Sequence, residues 1–240
     1  MLTRLDHLVI LVRDLELASA DYRRLGFAVM PGGEHSDGLT RNVLVPFEDG
    51  TYLELVSFLD PEDPTDNAWG WRGFYPQEGP IDYCAASDDL DGDLGRLESL
   101  GFEVDGPDDG GRRLPDGTQI RWRVARIRQE GRILPFLIED LTPRELRVPG
   151  GPATGHPNGA TGVTGLDISA RDPDAATASL ATLTDTKMPI RLGACAVRAR
   201  ARTTKRPGPS AVELVGGGSE TSLDPALAHG ARIRLLARAG

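Results

Sequence analysis

The chain has 240 residues, 39% of them hydrophobic and 26% charged, with a formal net charge of −9. That is enough apolar material for a sizeable core, and the wrong sign for nucleic acid or an anionic membrane as the main partner, since both select a basic face. Two cysteines, Cys84 and Cys195, with no CxxC pair, exclude a disulfide framework and fit a reducing cytoplasm, the expected location.

The N-terminal MLTRLDHLVILV is apolar but interrupted by Arg4 and Asp6, so it reads neither as a signal peptide nor as a membrane span. LDHLVILV (5–12) is expected to be a strand, with Leu5, His7, Val9 and Leu11 on one face and Asp6, Leu8, Ile10 and Val12 on the other. DLELASADYRRLGFAV (14–29) follows as a helix. Asp14 is its N-cap, Leu15, Ala18, Tyr22 and Leu25 recur at helical spacing, and Gly26 supplies the left-handed stop. The Gly-rich loop PGGEHSDGLTRN (31–42) leads into two strands, RNVLVPF (41–47) and TYLELVSF (51–58), joined by the turn EDG. The connector NAWGWRGFY (67–75) reads as a lid, a partner surface or a plug for one end of the fold.

The pattern then repeats at an offset of 75 residues: DLDGDLGRLESLGFEV (89–104) matches 14–29 with no gap. IDYCAAS (81–87), TQIRWRVARI (118–127) and ILPFLIED (133–140) take the strand positions, so the unit is βαβββ, present twice. In RWRVARI, Arg121, Arg123 and Ala125 alternate against Trp122, Val124 and Arg126. Trp122 is a candidate pocket wall, and Arg121 or Arg123 a candidate anchor for a substrate carboxylate, against the plainer reading of solvated strand arginines. The stretch 144–162 is rich in Gly and Pro and reads as a linker, with His156 in a structural turn. A weaker third copy, GVTGLDISARDPDAATASLATL (162–183), has Asp172 as its cap. The basic run 187–206 reads as a strand with a solvated arginine face, and AVELVGG (211–217) is similar to YLELVSF, placing Glu213 where Glu54 stands and Gly165 where His7 stands.

LDHLVILVRDL, LGF, YLELVSF, DGTQIRW, LPFLIED and GHPNGATGV, in this order and spacing, resemble the vicinal-oxygen-chelate superfamily, and within it the glyoxalase-like branch. The resemblance implies an α+β fold, with paired βαβββ modules forming a cupped, barrel-like mixed sheet and helices outside. The expected division is a glyoxalase-like domain over 1–142 (units at about 1–60 and 80–142), a linker over 143–160 and a C-terminal βαβ-type half-module over 161–240.

Glu54 poses the chemical question. A carboxylate in the middle of a buried strand needs a cation, an arginine such as Arg41, Arg121 or Arg123, or several donors, because alone it would cost several kcal/mol or lose its charge. The family resemblance implies that the His of the first strand and the Glu of the fourth face the cup and bind a divalent metal; His7 and Glu54 match those positions. His35 in the Gly-rich loop would be a third ligand or a proton-transfer group, with Asn42 orienting the loop. Two imidazoles and a carboxylate suit Fe, Mn, Zn or Ni. The second unit offers only Asp82 or Tyr83 in place of His7, and Glu139 near the end of its last strand. The expected function is metal-dependent isomerase, lyase or proton-transfer chemistry on a small oxygen-rich metabolite. The alternatives are a metal-free protein that sequesters a small molecule, and a structural partner acting through the aromatic connector. The expected partner is a small-molecule substrate, with room for a homodimer.

Overall fold

The computed structural model describes residues 2–114, 117–202 and 206–238; Asp116 of DGTQIRW and residues 203–205 of the basic run lie outside them. The first unit runs β1 (Leu2–Leu11), α1 (Leu15–Arg24), β2 (Met30–Glu34), β3 (Thr40–Pro46) and β4 (Tyr52–Phe58). The second runs β5 (Gly79–Ser87), α2 (Leu90–Ser99), β6 (Val104–Arg113), β7 (Gln119–Ile127) and β8 (Phe136–Asp140). Thus PGGE is a short strand, and the loop proper begins at His35.

The helix ends follow the sequence. The Asp14 carboxylate accepts from the Leu17 amide at 2.9 Å, and Asp89 accepts from Gly92 at 3.0 Å, each taking up a free donor of the first turn. Gly26 and Gly101 stop the helices at φ of 84° and 87°. A side chain at Gly26 would also strike Asn158, whose Cβ lies 2.9 Å from where a Cβ would stand.

All eight strands join one curled sheet in the order β2-β3-β4-β1-β5-β8-β7-β6. β1 lies parallel to β4 and β5 parallel to β8, while β1 and β5 run antiparallel at the centre, so the two units meet about that central pair. β2 and β6 end the sheet and face each other across an open seam. This is the paired-module half-barrel anticipated above.

After β8 come the short helix α3 (Arg144–Arg147), then β9 (Ala160–Ala170), α4 (Pro173–Thr184), β10 (Arg191–Leu192), β11 (Cys195–Ala201), β12 (Gly208–Gly216), β13 (Thr221–Ser222) and β14 (Ile233–Leu236). Six strands form a second sheet, β10-β11-β9-β12-β14-β13. Strand direction corrects one alignment. β11 runs parallel to β9, as β4 does to β1, whereas β12, which holds AVELVGG, runs antiparallel to β9, as β5 does to β1. The strand that resembles β4 in sequence therefore takes the place of β5, because a four-residue likeness does not carry pairing direction. Glu213 is a structural acid: it pairs with Arg198 at 2.9 Å and with Arg234. Burial pushes its carboxyl up, but the hydrogen bonds from both arginines outweigh this and hold it below the usual range. Arg198 also reaches Asp167 at 2.7 Å and is half-buried, while Arg200 of the same strand is exposed, as a solvated arginine face requires.

Both sheets share one core. Leu8, Ile10, Leu53, Leu55 and Tyr83 belong to the same buried cluster as Leu166, Ile168, Val212 and Leu214. The opposite face of the first sheet, with Val9, Val56, Phe58 and Ile138, forms a separate cluster on the concave side, together with Trp71. His156 ties the segment before β9 to the first unit. The Ala28 amide donates to its Nδ1 at 2.9 Å, so its other nitrogen carries the proton and donates to the Pro46 carbonyl at 2.8 Å. No helix among the described residues is long and apolar enough to cross a membrane.

Candidate active site

Strand alternation sends Leu53 and Leu55 of β4 to the shared core and Tyr52, Glu54, Val56 and Phe58 to the concave side. β1 does not alternate so simply. Leu5 pairs with Ala85 and His7 with Cys84, so Asp6 is an extra residue, a β-bulge. The bulge breaks the phase expected from sequence: Leu5, Leu8, Ile10 and Val12 share the core face, and both Asp6 and His7 turn toward the cup. Consecutive residues can then bond: His7 Nδ1 lies 2.7 Å from Asp6 Oδ1. An ionised carboxylate only accepts, so Nδ1 donates and Nε2 is the free nitrogen.

That nitrogen faces Glu54 Oε2 at 3.3 Å. From the other side His35 Nε2 stands 3.4 Å from Glu54 Oε1. His35 is anchored through Nδ1, 2.7 Å from Thr40 Oγ1. The Asn42 amide nitrogen donates to Glu54 Oε1 at 2.5 Å and lies 3.2 Å from His35 Nε2. Asn42 owes its place to a neighbour across the β2–β3 hairpin: a Cβ on Gly32 would stand 1.9 Å from its Oδ1. His7, Glu54, His35 and Asn42 are thus brought together as the sequence suggested. None of Arg41, Arg121 and Arg123 reaches Glu54; Arg41 pairs with Glu16 outside the cup.

Burial works against the charges of this group, and the contacts outweigh it. Glu54 is held well below the usual carboxylate range by hydrogen bonds to His35 and His7, and His7 is raised by Asp6 and Glu54. Asp6 is completely buried and held well below its usual range, mainly by the Arg147 guanidinium, then by His7 and Arg144. Arg147 grips it with two nitrogens at 3.0 and 3.1 Å, donates to Asp140 and donates to the Tyr52 hydroxyl at 2.9 Å. The Tyr52 ring stacks on the His7 imidazole with centroids 4.6 Å apart. Arg144 and Arg147 come from the stretch read as a linker, and no sequence pattern flagged them.

The group lines a cavity of about 380 Å³. Its remaining wall is aromatic and comes from the second unit and the connector: Trp122, Phe136, Trp69 and Trp71. Trp69 stacks on Trp71 and lies 4.5 Å from Phe136, so the connector is a wall of the cup. Trp122, Val124 and Arg126 are the β7 residues that face inward. Arg121 and Arg123, expected as substrate anchors, lie on the opposite face; Arg121 is exposed and Arg123 pairs with Glu139 and Asp91. Period two fixed the two sets of residues but not which set faces in. Glu139 is likewise outside the cup, and Asp82 is occupied by the Trp71 indole at 3.1 Å and by Arg132 at 3.5 Å. β8 offers the cavity only Phe136 and Ile138. The carboxylate and imidazoles gathered at Glu54 therefore all come from the first unit.

Donor chemistry decides where a cation fits. Asp6, His7 and Cys84 are the one trio of His, Cys, Asp and Glu among the described residues with donor atoms all within 4.8 Å of one another. Asp6 already holds two guanidiniums there, and burial pushes the Cys84 thiol far up, which disfavours the thiolate. Glu54 has no guanidinium or ammonium partner among the described residues, and both neighbouring imidazoles turn their second nitrogen to it, His7 to Oε2 at 3.3 Å and His35 to Oε1 at 3.4 Å. Two imidazoles and a carboxylate are donor types that a divalent metal takes, but their three donor atoms do not all lie within 4.8 Å of one another and would have to draw together around an ion. The Asp6 trio is a support for His7.

Comparison with known proteins agrees with the fold. The family model described as "Glyoxalase-like domain" matches residues 5–184. A solved structure described as a hypothetical protein from Staphylococcus aureus superimposes with a TM-score of 0.79 at 16% identity, covering 98% of this chain and 99% of that one. A xylose isomerase-like TIM barrel/4-hydroxyphenylpyruvate dioxygenase fusion protein gives 0.53 at 13% identity, over 90% of this chain and 36% of that one. Methylmalonyl-CoA epimerase from Mycobacterium tuberculosis gives 0.46 at 25% identity, over 60% and 92%. No curated protein matches the chain significantly.

Proposed function

The chain belongs to the glyoxalase-like domain family of the vicinal-oxygen-chelate superfamily, and on that premise we propose that it is a metal-dependent enzyme carrying out isomerase, lyase or proton-transfer chemistry on a small oxygen-rich molecule. The observation that carries this is the convergence of two anchored imidazoles on a buried carboxylate that no arginine or lysine among the described residues neutralises. His7, Glu54 and His35 would hold the ion. When bound, a divalent metal supplies Lewis acidity toward adjacent substrate oxygens. The chain's own residues do the rest. Asp6 and Thr40 fix the two rings, Asn42 holds the carboxylate in register, and the aromatic wall excludes water. His35, the most exposed of the three with a side chain at 20%, would move a proton at Nε2 if that nitrogen is not the one on the metal.

Elemental analysis of the purified protein tests this. About one equivalent of a transition metal is expected, falling to background in His7→Ala. Protein that takes up no divalent cation, yet binds small molecules without turning them over, would favour the sequestering alternative, to which the apolar second unit lends itself. His35→Ala separates the two roles of that residue: lost metal makes it a ligand, and retained metal with lost turnover makes it a proton carrier. Gly32→Ala should push Asn42 off Glu54 and cost roughly 10–100-fold in metal affinity, the usual effect of a supporting residue. Gly95→Ala, on α2 with nothing within 4 Å, is the control and should leave affinity unchanged.

A further inference from the structure

Three arginines line the cavity: Arg112, Arg126 and Arg147. Arg147 is neutralised by Asp6 and Asp140, and Arg126 pairs with Asp108 at 2.9 Å. Arg112 has no carboxylate partner among the described residues. Among the described residues its one hydrogen bond is from Nη2 to the Arg147 carbonyl at 2.6 Å, and its buried Nε has no partner there. The residue is only 8% exposed. An unpaired guanidinium at that depth is costly, and an anion entering the cavity would offset that cost.

Its location says which anion. Arg112 sits on β6 at the seam and reaches across to β2, where its Cδ lies 3.7 Å from where a Cβ of Gly33 would stand. Gly33 is paired with Asn42, which holds Glu54. The guanidinium and the imidazole–carboxylate group thus face one space. Asp109 also lines that cavity and is exposed, beside the Asp108–Arg126 pair, so its charge opposes a multiply charged phosphate more than a single carboxylate. Trp69, Trp122 and Phe136 supply a flat apolar wall for the rest of the molecule.

We propose that Arg112 binds a substrate carboxylate, and that the cavity takes a monocarboxylate with oxygen on the adjacent carbon and a flat apolar body. The substrate class rests on the enzyme reading above; the carboxylate site itself does not need the metal. A guanidinium fork matches a carboxylate with two parallel hydrogen bonds, which orients the adjacent oxygen as well as holding the charge.

Mandelate, its neutral isostere mandelamide, and inorganic phosphate are suitable probes. Each is titrated calorimetrically into the full-length chain, stripped with chelator and, separately, reloaded with Mn²⁺. Mandelate should bind at least tenfold more tightly than mandelamide or phosphate in the stripped protein. Arg112→Met should abolish that preference, and Arg112→Lys should retain only part of it, because an ammonium lacks the fork. The proposal is overturned if mandelate binds no better than mandelamide, if phosphate binds as well, or if the preference survives in Arg112→Met. If Arg112→Met does not fold, an unchanged preference in Arg112→Lys overturns it equally. A lower melting temperature with unaltered preference would make Arg112 merely a brace for the Arg147 carbonyl. If no metal binds while the Arg112-dependent preference persists, the enzyme reading falls and this one stands.

Discussion

Glu54→Ala is expected to reduce metal binding to background and, with it, turnover. Each imidazole faces one oxygen of this carboxylate, so it is the side chain that joins them. Removing it leaves two separate single-nitrogen donors and no anionic ligand. The loss in affinity should exceed the roughly 100-fold upper range for a supporting residue. Glu54→Gln is the sharper variant. It keeps the shape and the ability to meet Asn42, so the fold should survive, yet a neutral amide is a poor ligand for a hard or borderline cation. Elemental analysis and metal titration of both variants read the effect. If Glu54→Gln binds metal like the parent, the ion is not where we place it.

The second large effect is on stability. Arg147→Met should destabilise the protein by about 3–5 kcal/mol in urea unfolding, the usual cost of removing one partner of a buried ion pair. Asp6 is fully buried and would keep only Arg144 and His7, while Asp140 and the Tyr52 hydroxyl would each lose a donor. The double variant Asp6→Asn/Arg147→Met should recover part of that loss, because the stranded charge is gone. It should not recover metal affinity, since Asp6 is what commits the His7 ring to one tautomer. A cost below about 1 kcal/mol for the single variant would mean that the network is looser than its geometry.

Much of this architecture can be read from the chain. The duplicated Asp-Leu…Leu-Gly-Phe pattern carries both helices with their caps and stops, because those signals are local. The even alternation of TYLELVSF groups Glu54 with Tyr52, Val56 and Phe58 for the same reason, while its inward face is what the family resemblance implies. What is not legible arises from pairing. The extra residue at Asp6 shows only when β1 is laid against β5. The inward face of RWRVARI depends on which side of the sheet the helices cover, and the cavity arginine without a carboxylate partner among the described residues is Arg112, from a Gly- and Asp-rich strand with no apolar period at all. Arg144 and Arg147 lie near in space to Asp6 but some 140 residues away in sequence. Periodicity cannot report such a contact.

The lopsided placement of the polar groups has a consequence for how such a scaffold can change. One copy of the duplicated unit carries the imidazole–carboxylate constellation, and the other contributes the apolar wall of Trp122, Phe136 and Ile138 together with Arg112 and Arg126. Substitutions in the wall would reshape what is admitted and leave the chemistry intact. A protein divided in this way can acquire new diets without relearning how to digest.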